Sequence, residues 1–430
     1  MSWSARVWHR AFLEERPSAS LGLFRLAVAF TIGAHVLPSL LQLEDNYLST
    51  AFKTQNPWFF PEPILRLMAA SPDALVWIMA EVFVLTLASF VVGYRTQLAA
   101  ILMTLSCYYF YSLNNFHIGT LSFDILLVTL FLVCVTPYPG DFLSLDSLRW
   151  ADAAAHRRLR PFFLQRLLQL QLVWTFWGTA LSKITADGNW LTDRPYYYLM
   201  HYPAIGVVRE FPLRGWLSQH ADLCYGLGVA VVIIELLLPI GWFVPRTRAI
   251  SIAVGILFQI MLWVTLHVPT IFLFLFPPMM LLFVAPERIV AWIDARRQTH
   301  EAEGRHGLLL YDGRCGFCLE SVKRLRVLDL FGWAHLRDFH TEGNLSLLHP
   351  GLTPERCRSE MVLIEPDGRL TGGFDAFQRL CVRLPLLWPL VPAVFLPGAR
   401  WVGRSAYRWI AAHRYLFHRN PTCTTNQCAL

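Results

Sequence analysis

Cys315 and Cys318 stand with two residues between them in the run Leu308-Leu309-Leu310-Tyr311-Asp312-Gly313-Arg314-Cys315-Gly316-Phe317-Cys318. Two thiols at this spacing do redox chemistry when the first sits at a helix N-terminus. There the unpaired amides and the positive end of the helix dipole favour thiolate, which is the nucleophile. The second thiol, one turn on, can then resolve the mixed disulfide that the first one forms. Asp312 has two readings: it accepts or relays the proton as Cys318 reacts, or it is a turn and cap residue joining strand to helix.

The other cysteines bear on the same question. Cys107, Cys134 and Cys224 lie in or beside apolar stretches and read as packing residues. Cys357 and Cys381 have no partner by spacing, whereas Cys423 and Cys428 are placed to form a second dithiol. Cys315, Cys318, Cys423 and Cys428 together also make a four-sulfur set of the kind that binds zinc. Redox, zinc-binding and purely structural uses therefore all stay open on these residues. A cytoplasmic setting disfavours stable structural disulfides.

The elements that position the dithiol are legible. Gly307 to Tyr311 reads as a short buried strand, Cys315 to Phe331 as a helix, and Ala334 to Asp338 as a second strand. Met361 to Glu365 and Arg369 to Thr371 read as a hairpin turned at Asp367-Gly368. This order is compatible with a small α/β domain of thioredoxin-like fold. Ser359 and Glu360 precede the strand at Met361, where ordinary thioredoxins carry a cis-proline, so general exchange with protein disulfides is less expected.

Most of the chain before this domain reads as membrane. Of the 430 residues, 55% are hydrophobic and 16% charged, against about 25% charged in an ordinary soluble chain, and the mean hydropathy is +0.42. The net charge of +7 is uneven, with the tail from Glu287 rich in Arg and His. It reads as topology, and no basic, aromatic-interleaved nucleic-acid motif is present. At roughly 20 apolar residues per span, about eight transmembrane helices are expected. They lie near Leu21 to Leu41, Ala74 to Val92, Gln97 to Leu113, Leu121 to Val135, Phe162 to Ser182, Asp222 to Val244, Ala249 to Leu266 and Pro269 to Val284. The first reads as a retained span, since Glu14 and Glu15 precede it and no small-residue cleavage site follows.

Arg6, Arg10, Arg16, Arg95, Arg149, Arg157, Arg158, Arg160, Arg246 and Arg248 all fall in loops on one side of this arrangement. That places both termini in the cytoplasm, in a bacterial inner membrane or its equivalent. The two long loops on the other side, Gln42 to Asp73 and Lys183 to Ala221, are rich in Trp, Tyr and Phe. These aromatics form either an interfacial belt or a cap over a pocket.

Ionisable groups at membrane depth are costly and face a cavity or a partner. Candidates are Arg25, His35, Glu81, His117, Asp124, Arg166, Lys183, Glu235 and His267. Arg25 and Arg166 read as snorkelling or as paired within the bundle, with Asp124 and Glu235 as their counter-ions. Lys183 closes the fifth span ahead of Gly188-Asn189-Trp190. A desolvated amine there could act as a base, and an interfacial lysine there could equally anchor the helix end.

The stretch from Cys107 to about Tyr202 resembles the membrane domain shared by vitamin K-dependent gamma-carboxylase and the bacterial proteins with a horizontally transferred transmembrane (HTTM) domain. The matching residues are Ser112-Leu113-Asn114-Asn115 with His117, Ser144-Leu145-Asp146, the Arg166 to Gln171 run, and Ala180-Leu181-Ser182-Lys183 followed by Trp190. The resemblance implies that Lys183 is a base toward a reduced quinone, with Asn114, Asn115, His117, Asp124 and Trp190 as pocket candidates. Protein carboxylation is not implied, since no large exoplasmic domain follows the last span.

The tail resembles the DCC family of thiol-disulfide oxidoreductase-like proteins through Asp312-Gly313-Arg314-Cys315-Gly316-Phe317-Cys318, Leu370 to Ala376, Leu396-Pro397 and Tyr407 to Arg414. The expected organisation is a polytopic α-helical membrane bundle over residues 1–290, a linker over 291–305, a thioredoxin-like domain over 306–420 and a Cys-containing tail over 421–430. Two functions follow. One is a membrane oxidoreductase whose redox-active disulfide exchanges electrons with a small thiol, a redox partner protein or a quinone-like molecule, set among membrane lipid. The other is an assembly or transport partner whose tail binds metal or protein without turnover.

Overall fold

A computed structural model describes residues 2–51, 61–114, 118, 121–150, 155–185, 189–201, 208–267 and 270–414. It separates into two compact units, Met1–Ser144 with Arg158–Pro286, and Leu145–Arg157 with Glu287–Leu430. Residues 145–157 thus group with the C-terminal unit, and not with the remainder of 1–290.

In the first unit, helices occupy all eight expected positions: α1 (Ala19–Leu41), α2 (Asp73–Val92), α3 (Thr96–Leu113), α4 (Leu121–Cys134), α5 (Phe163–Thr185), α6 (Ala221–Phe243), α7 (Arg248–Thr265) and α8 (Thr270–Leu281). Four of them, α1, α2, α6 and α7, are long and apolar enough to cross a membrane. The number is up to five if Phe272–Leu281 and Pro286–Ala302 count as one bent span, against the eight expected. Over the described residues, length and polarity set the other helices apart from these. The 14 residues of α4 reach only about 21 Å at 1.5 Å per residue, less than the hydrocarbon core. The α5 helix carries Gln165, Arg166, Gln169, Gln171 and Lys183, and α3 is dense in Tyr and Ser. A short antiparallel pair, β1 (Glu15–Pro17) with β2 (Leu159–Pro161), joins the two chain segments of this unit.

Several charged groups inside the bundle find partners locally, as a low-dielectric interior favours. Arg25, 0% exposed, donates to the carbonyls of Phe90 (2.6 Å), Val91 (3.0 Å) and Leu143 (2.5 Å). Two of those carbonyls lie in the last turn of α2, where the Phe90 carbonyl also accepts from the C-cap Gly93 N–H (3.3 Å). Arg166 donates to the Ala11 carbonyl (3.2 Å) and to Gln169 (2.7 Å). The expected counter-ions are used elsewhere: Asp124 accepts from the Tyr111 hydroxyl (2.7 Å), and Glu235 pairs with Lys183. The forked guanidinium donors of Arg25 and Arg166 suit the backbone carbonyls that they reach here.

The second unit is a four-stranded sheet in the order β4-β3-β5-β6, built from β3 (Gly307–Tyr311), β4 (Ala334–Asp338), β5 (Val362–Ile364) and β6 (Leu370–Gly372). Strands β3 and β4 are parallel, and the other two pairings are antiparallel. Residues 291–302, expected as linker, lie within helix α9 (Pro286–Ala302). Helix α10 (Gly316–Leu328) supplies the crossover that parallel strands require. It ends three residues short of the expected Phe331 because Asp329 turns to accept from the backbone N–H groups of Trp333 (2.9 Å) and Ala334 (2.7 Å), opening β4. Alternate residues of the strands face opposite sides. Leu309 and Leu363 pack with Ala376 and Leu380 of α11 (Gly373–Arg383), while Leu310 and Val362 pack with Phe339 and Leu352. Each buried Leu, Val or Phe among them stabilises the unit by about 1.5–3 kcal/mol, which holds the end of β3, and with it the dithiol, in place. The last described helix is α12 (Ala399–Ala412).

Candidate functional site

At the end of β3 the chain turns through Asp312-Gly313-Arg314 into α10. Gly313 brings the backbone close to Asp338 at this turn: its N–H donates to that carboxylate (3.0 Å), and a Cβ here would have to displace the carboxylate. Cys315 is the N-cap of α10, and its sulfur accepts from the backbone N–H of Cys318 (3.2 Å). The Cys318 thiol donates to the same sulfur at 2.6 Å. Both cysteines are free thiols and half-buried.

This geometry divides the two thiols chemically. The hydrogen bond from Cys318 holds the Cys315 thiol down to about 7 from an ordinary 9.0, with the backbone N–H and the Arg414 charge acting in the same direction against burial. Cys318 is pushed up, first because it gives its proton to Cys315 and then because it is buried. One thiol is thus poised as nucleophile, and the other keeps its proton for a later step.

Asp312 is 9% exposed. His340 Nε2 lies 3.0 Å from its Oδ1, and Arg414 lies 3.6 Å from its Oδ2. Arg414 also reaches Cys318 Sγ at 3.9 Å. Both readings of Asp312 find geometry here, since its Oδ1 also accepts from the Arg314 backbone N–H (3.0 Å) as a turn residue does. His340 arrives because β3 and β4 are parallel and in register, Tyr311 beside Asp338, so the residues leaving both strands meet at one edge. Tyr407 accepts from the Met361 N–H (3.0 Å), and burial pushes its hydroxyl up to about 12.

The first unit holds a second constellation. Lys183 Nζ donates to both carboxylate oxygens of Glu235, at 2.8 and 2.9 Å, joining α5 to α6. The Lys183 side chain is 21% exposed and that of Glu235 7%. The Trp190 ring lies 5.5 Å from the ammonium, and its backbone N–H donates to the Lys183 carbonyl (3.0 Å). Chemically, the carboxylate is both the anchor of the amine and its nearest proton acceptor.

Of the residues singled out from sequence, Cys315, Cys318 and Asp312 come together, as do Lys183 and Trp190. Asn114 is buried and donates to the Asn46 carbonyl (2.7 Å), and Asp124 sits on Tyr111. Asn115, His117, Cys423 and Cys428 lie outside the described residues. Among the described residues no cluster of three or more His, Cys, Asp or Glu is placed to hold a metal ion. Sequence reasoning passed over His340 and gave no role to Arg414 or Tyr407. The position of His340, just past the strand parallel to β3, was the available signal.

A dithiol at a strand–helix junction, carried on a chain whose other unit is a bundle of apolar helices, defines a membrane redox protein. The chain belongs to the HTTM family: residues 14–288 match the HTTM domain, and residues 309–420 match the DCC1-like thiol-disulfide oxidoreductase family. No curated protein and no solved structure matches it.

Proposed function

We propose that the protein is a multi-pass membrane thiol-disulfide oxidoreductase in which Cys315 attacks and Cys318 resolves. The observation that carries this reading is the Cys315 sulfur at the N-cap of α10, accepting both the Cys318 N–H and the Cys318 thiol proton. The β3–α10–β4 crossover, followed by the antiparallel β5–β6 pair, supports a thioredoxin-like fold for this unit. The arginine distribution supports placing both termini, and so the dithiol, in the cytoplasm of a bacterial cell. Its exchange partner is then a small thiol or a redox protein of that compartment.

The Lys183–Glu235–Trp190 constellation supports a second site in the bundle, where Lys183 serves as base toward a quinone-like or other lipid-soluble substrate. In that reading Glu235 takes the ammonium proton and leaves a neutral amine.

The test is a redox titration of the full chain in nanodiscs, with free thiols alkylated and read by mass spectrometry. The expected result is one two-electron couple, with label entering Cys315 first when the protein is reduced. Equal labelling of both thiols with no disulfide formed, or protection of both by bound zinc, would overturn the reading. A reporter fused after Leu430 that reads periplasmic would overturn the orientation.

A further inference from the structure

The second unit contains a cavity of about 520 Å³, within the range of small-molecule sites. Its wall is largely apolar, with Phe317, Val322, Phe374 and Phe377 contributing from α10 and α11. Cys318 is part of that wall, and Cys315 is not among the described residues that line it. Three polar wall residues, Cys318, Arg414 and Asp312, are neighbours of one another. A fourth, Tyr407, already accepts from Met361, so its own hydroxyl proton remains to be given.

A protein disulfide needs access to Cys315 and has no use for an apolar hollow on the Cys318 side. The occupant must instead be small, apolar and able to take two electrons at Cys318. Tyr407 and Arg414 offer hydrogen-bond donors to its polar atoms, and Arg414, which also faces the Asp312 carboxylate at 3.6 Å, offers a cation to the negative charge it gains. We infer that this cavity receives a quinone-type ring compound, which is reduced to the hydroquinone by the Cys315–Cys318 dithiol.

The inference rests on the dithiol reading above and names the acceptor for that same site. The reaction balances in two steps. Toward this acceptor the two thiols exchange the roles they hold in disulfide exchange: Cys318 passes its proton along the existing hydrogen bond to Cys315, its sulfur adds to a ring carbon, and a ring oxygen takes that proton from Cys315. The Cys315 thiolate, 2.6 Å from that sulfur, then attacks it. The S–S bond forms, the S–C bond breaks, and the electron pair stays on the ring as the hydroquinone anion, which takes its second proton from water.

The experiment uses the full chain in nanodiscs, with the dithiol reduced beforehand. Its oxidation is timed with duroquinone, whose four methyl groups block lasting arylation, and with hydroxyethyl disulfide as a polar comparison. Ala406 and Ser321 are exposed residues of the cavity wall, on α12 and α10, so Ala406→Trp and Ser321→Trp put bulk into the cavity from two separate helices. In both variants the ratio of the duroquinone rate to the hydroxyethyl disulfide rate should fall roughly tenfold or more, the effect of about 1.4 kcal/mol of lost binding. An unchanged ratio in both, or duroquinone bound with no disulfide formed, overturns the assignment. If hydroxyethyl disulfide oxidises the pair and duroquinone does not, the cavity assignment alone falls. If neither oxidises it, the dithiol reading falls with it.

Discussion

The Lys183–Glu235 pair and the Cys315–Cys318 pair each hold a charge largely away from water, and they do so by opposite means. Lys183 is met by a full opposite charge from a neighbouring helix, at 2.8 and 2.9 Å. The Cys315 sulfur is met by a shared thiol proton and a backbone amide, with the Arg414 charge as a weaker influence. Full compensation ties two helices together and leaves the amine engaged. Partial compensation stabilises the thiolate and leaves its lone pairs usable. The first arrangement is costly to break from either side, and the second is built to change partners.

The sharpest way to test that contrast is Cys315→Ser, which should lower disulfide exchange by about a thousandfold or more, as loss of a nucleophile does. Cys318→Ser should instead accumulate a mixed disulfide on Cys315, visible as a mass gain on the intact chain. If Cys318→Ser turns over normally, the division of labour between the thiols is wrong.

Glu235→Gln should cost the bundle about 3 kcal/mol, the low end for stranding one partner of a buried ion pair, because Lys183 keeps 21% of its side chain exposed. The readout is the thermal unfolding midpoint of the purified chain. Lys183→Arg keeps the charge and should retain most of that stability, yet it should abolish any chemistry that needs a neutral amine. Full activity in a stable Lys183→Arg protein would reduce the pair to a helix clasp.

A smaller effect separates the thiols by pH. Below the Cys315 value of about 7, its alkylation rate should rise about tenfold per pH unit, then level off above it, because only thiolate reacts. Cys318 should stay slow across that range, its thiol being pushed up. A Cys315 profile that keeps climbing to pH 9, its ordinary value, would remove the explanation by hydrogen bonds from Cys318.

The smallest effect belongs to Asp375, which Arg400 and Arg404 hold down to about 2 from 3.8. A carboxyl with a depressed folded-state value contributes stability that is whole above its ordinary range and is lost as pH falls through about 2. Both arginines are about half exposed or more, so screening leaves roughly 1 kcal/mol. Denaturant unfolding at about pH 5 and about pH 2.5 should therefore show a larger acid loss in the native chain than in Asp375→Asn. Equal losses would mean the cluster is electrostatically idle.

Local pattern was enough for much of this. Apolar runs placed the eight longest helices described in the first unit, and strand signals placed β3 and β4 to the residue, because period and turn chemistry act over a few neighbours. Cys315 at the helix start was legible for the same reason. Of the eight helices, four or five are long and apolar enough over the described residues to cross a membrane, since that property depends on the length and polarity of the finished helix, as α4 and α5 illustrate. The counter-ions of Arg25 and Arg166 were misjudged because composition hides the competing carbonyls of a helix end.

Residue type and spacing alone thus settle that two thiols share the first turn of a helix and that a lysine closes an apolar one. Which groups meet them is settled by folding. Glu235 reaches Lys183 across 52 positions, His340 reaches Asp312 across 28, and Arg414 reaches Cys318 across 96. Hydrogen bonds and charge pairs act over a few ångströms, and no local pattern carries such separations. Only the parallel register of β3 with β4, the packing of α5 on α6 and the return of the chain through α12 bring these groups within reach.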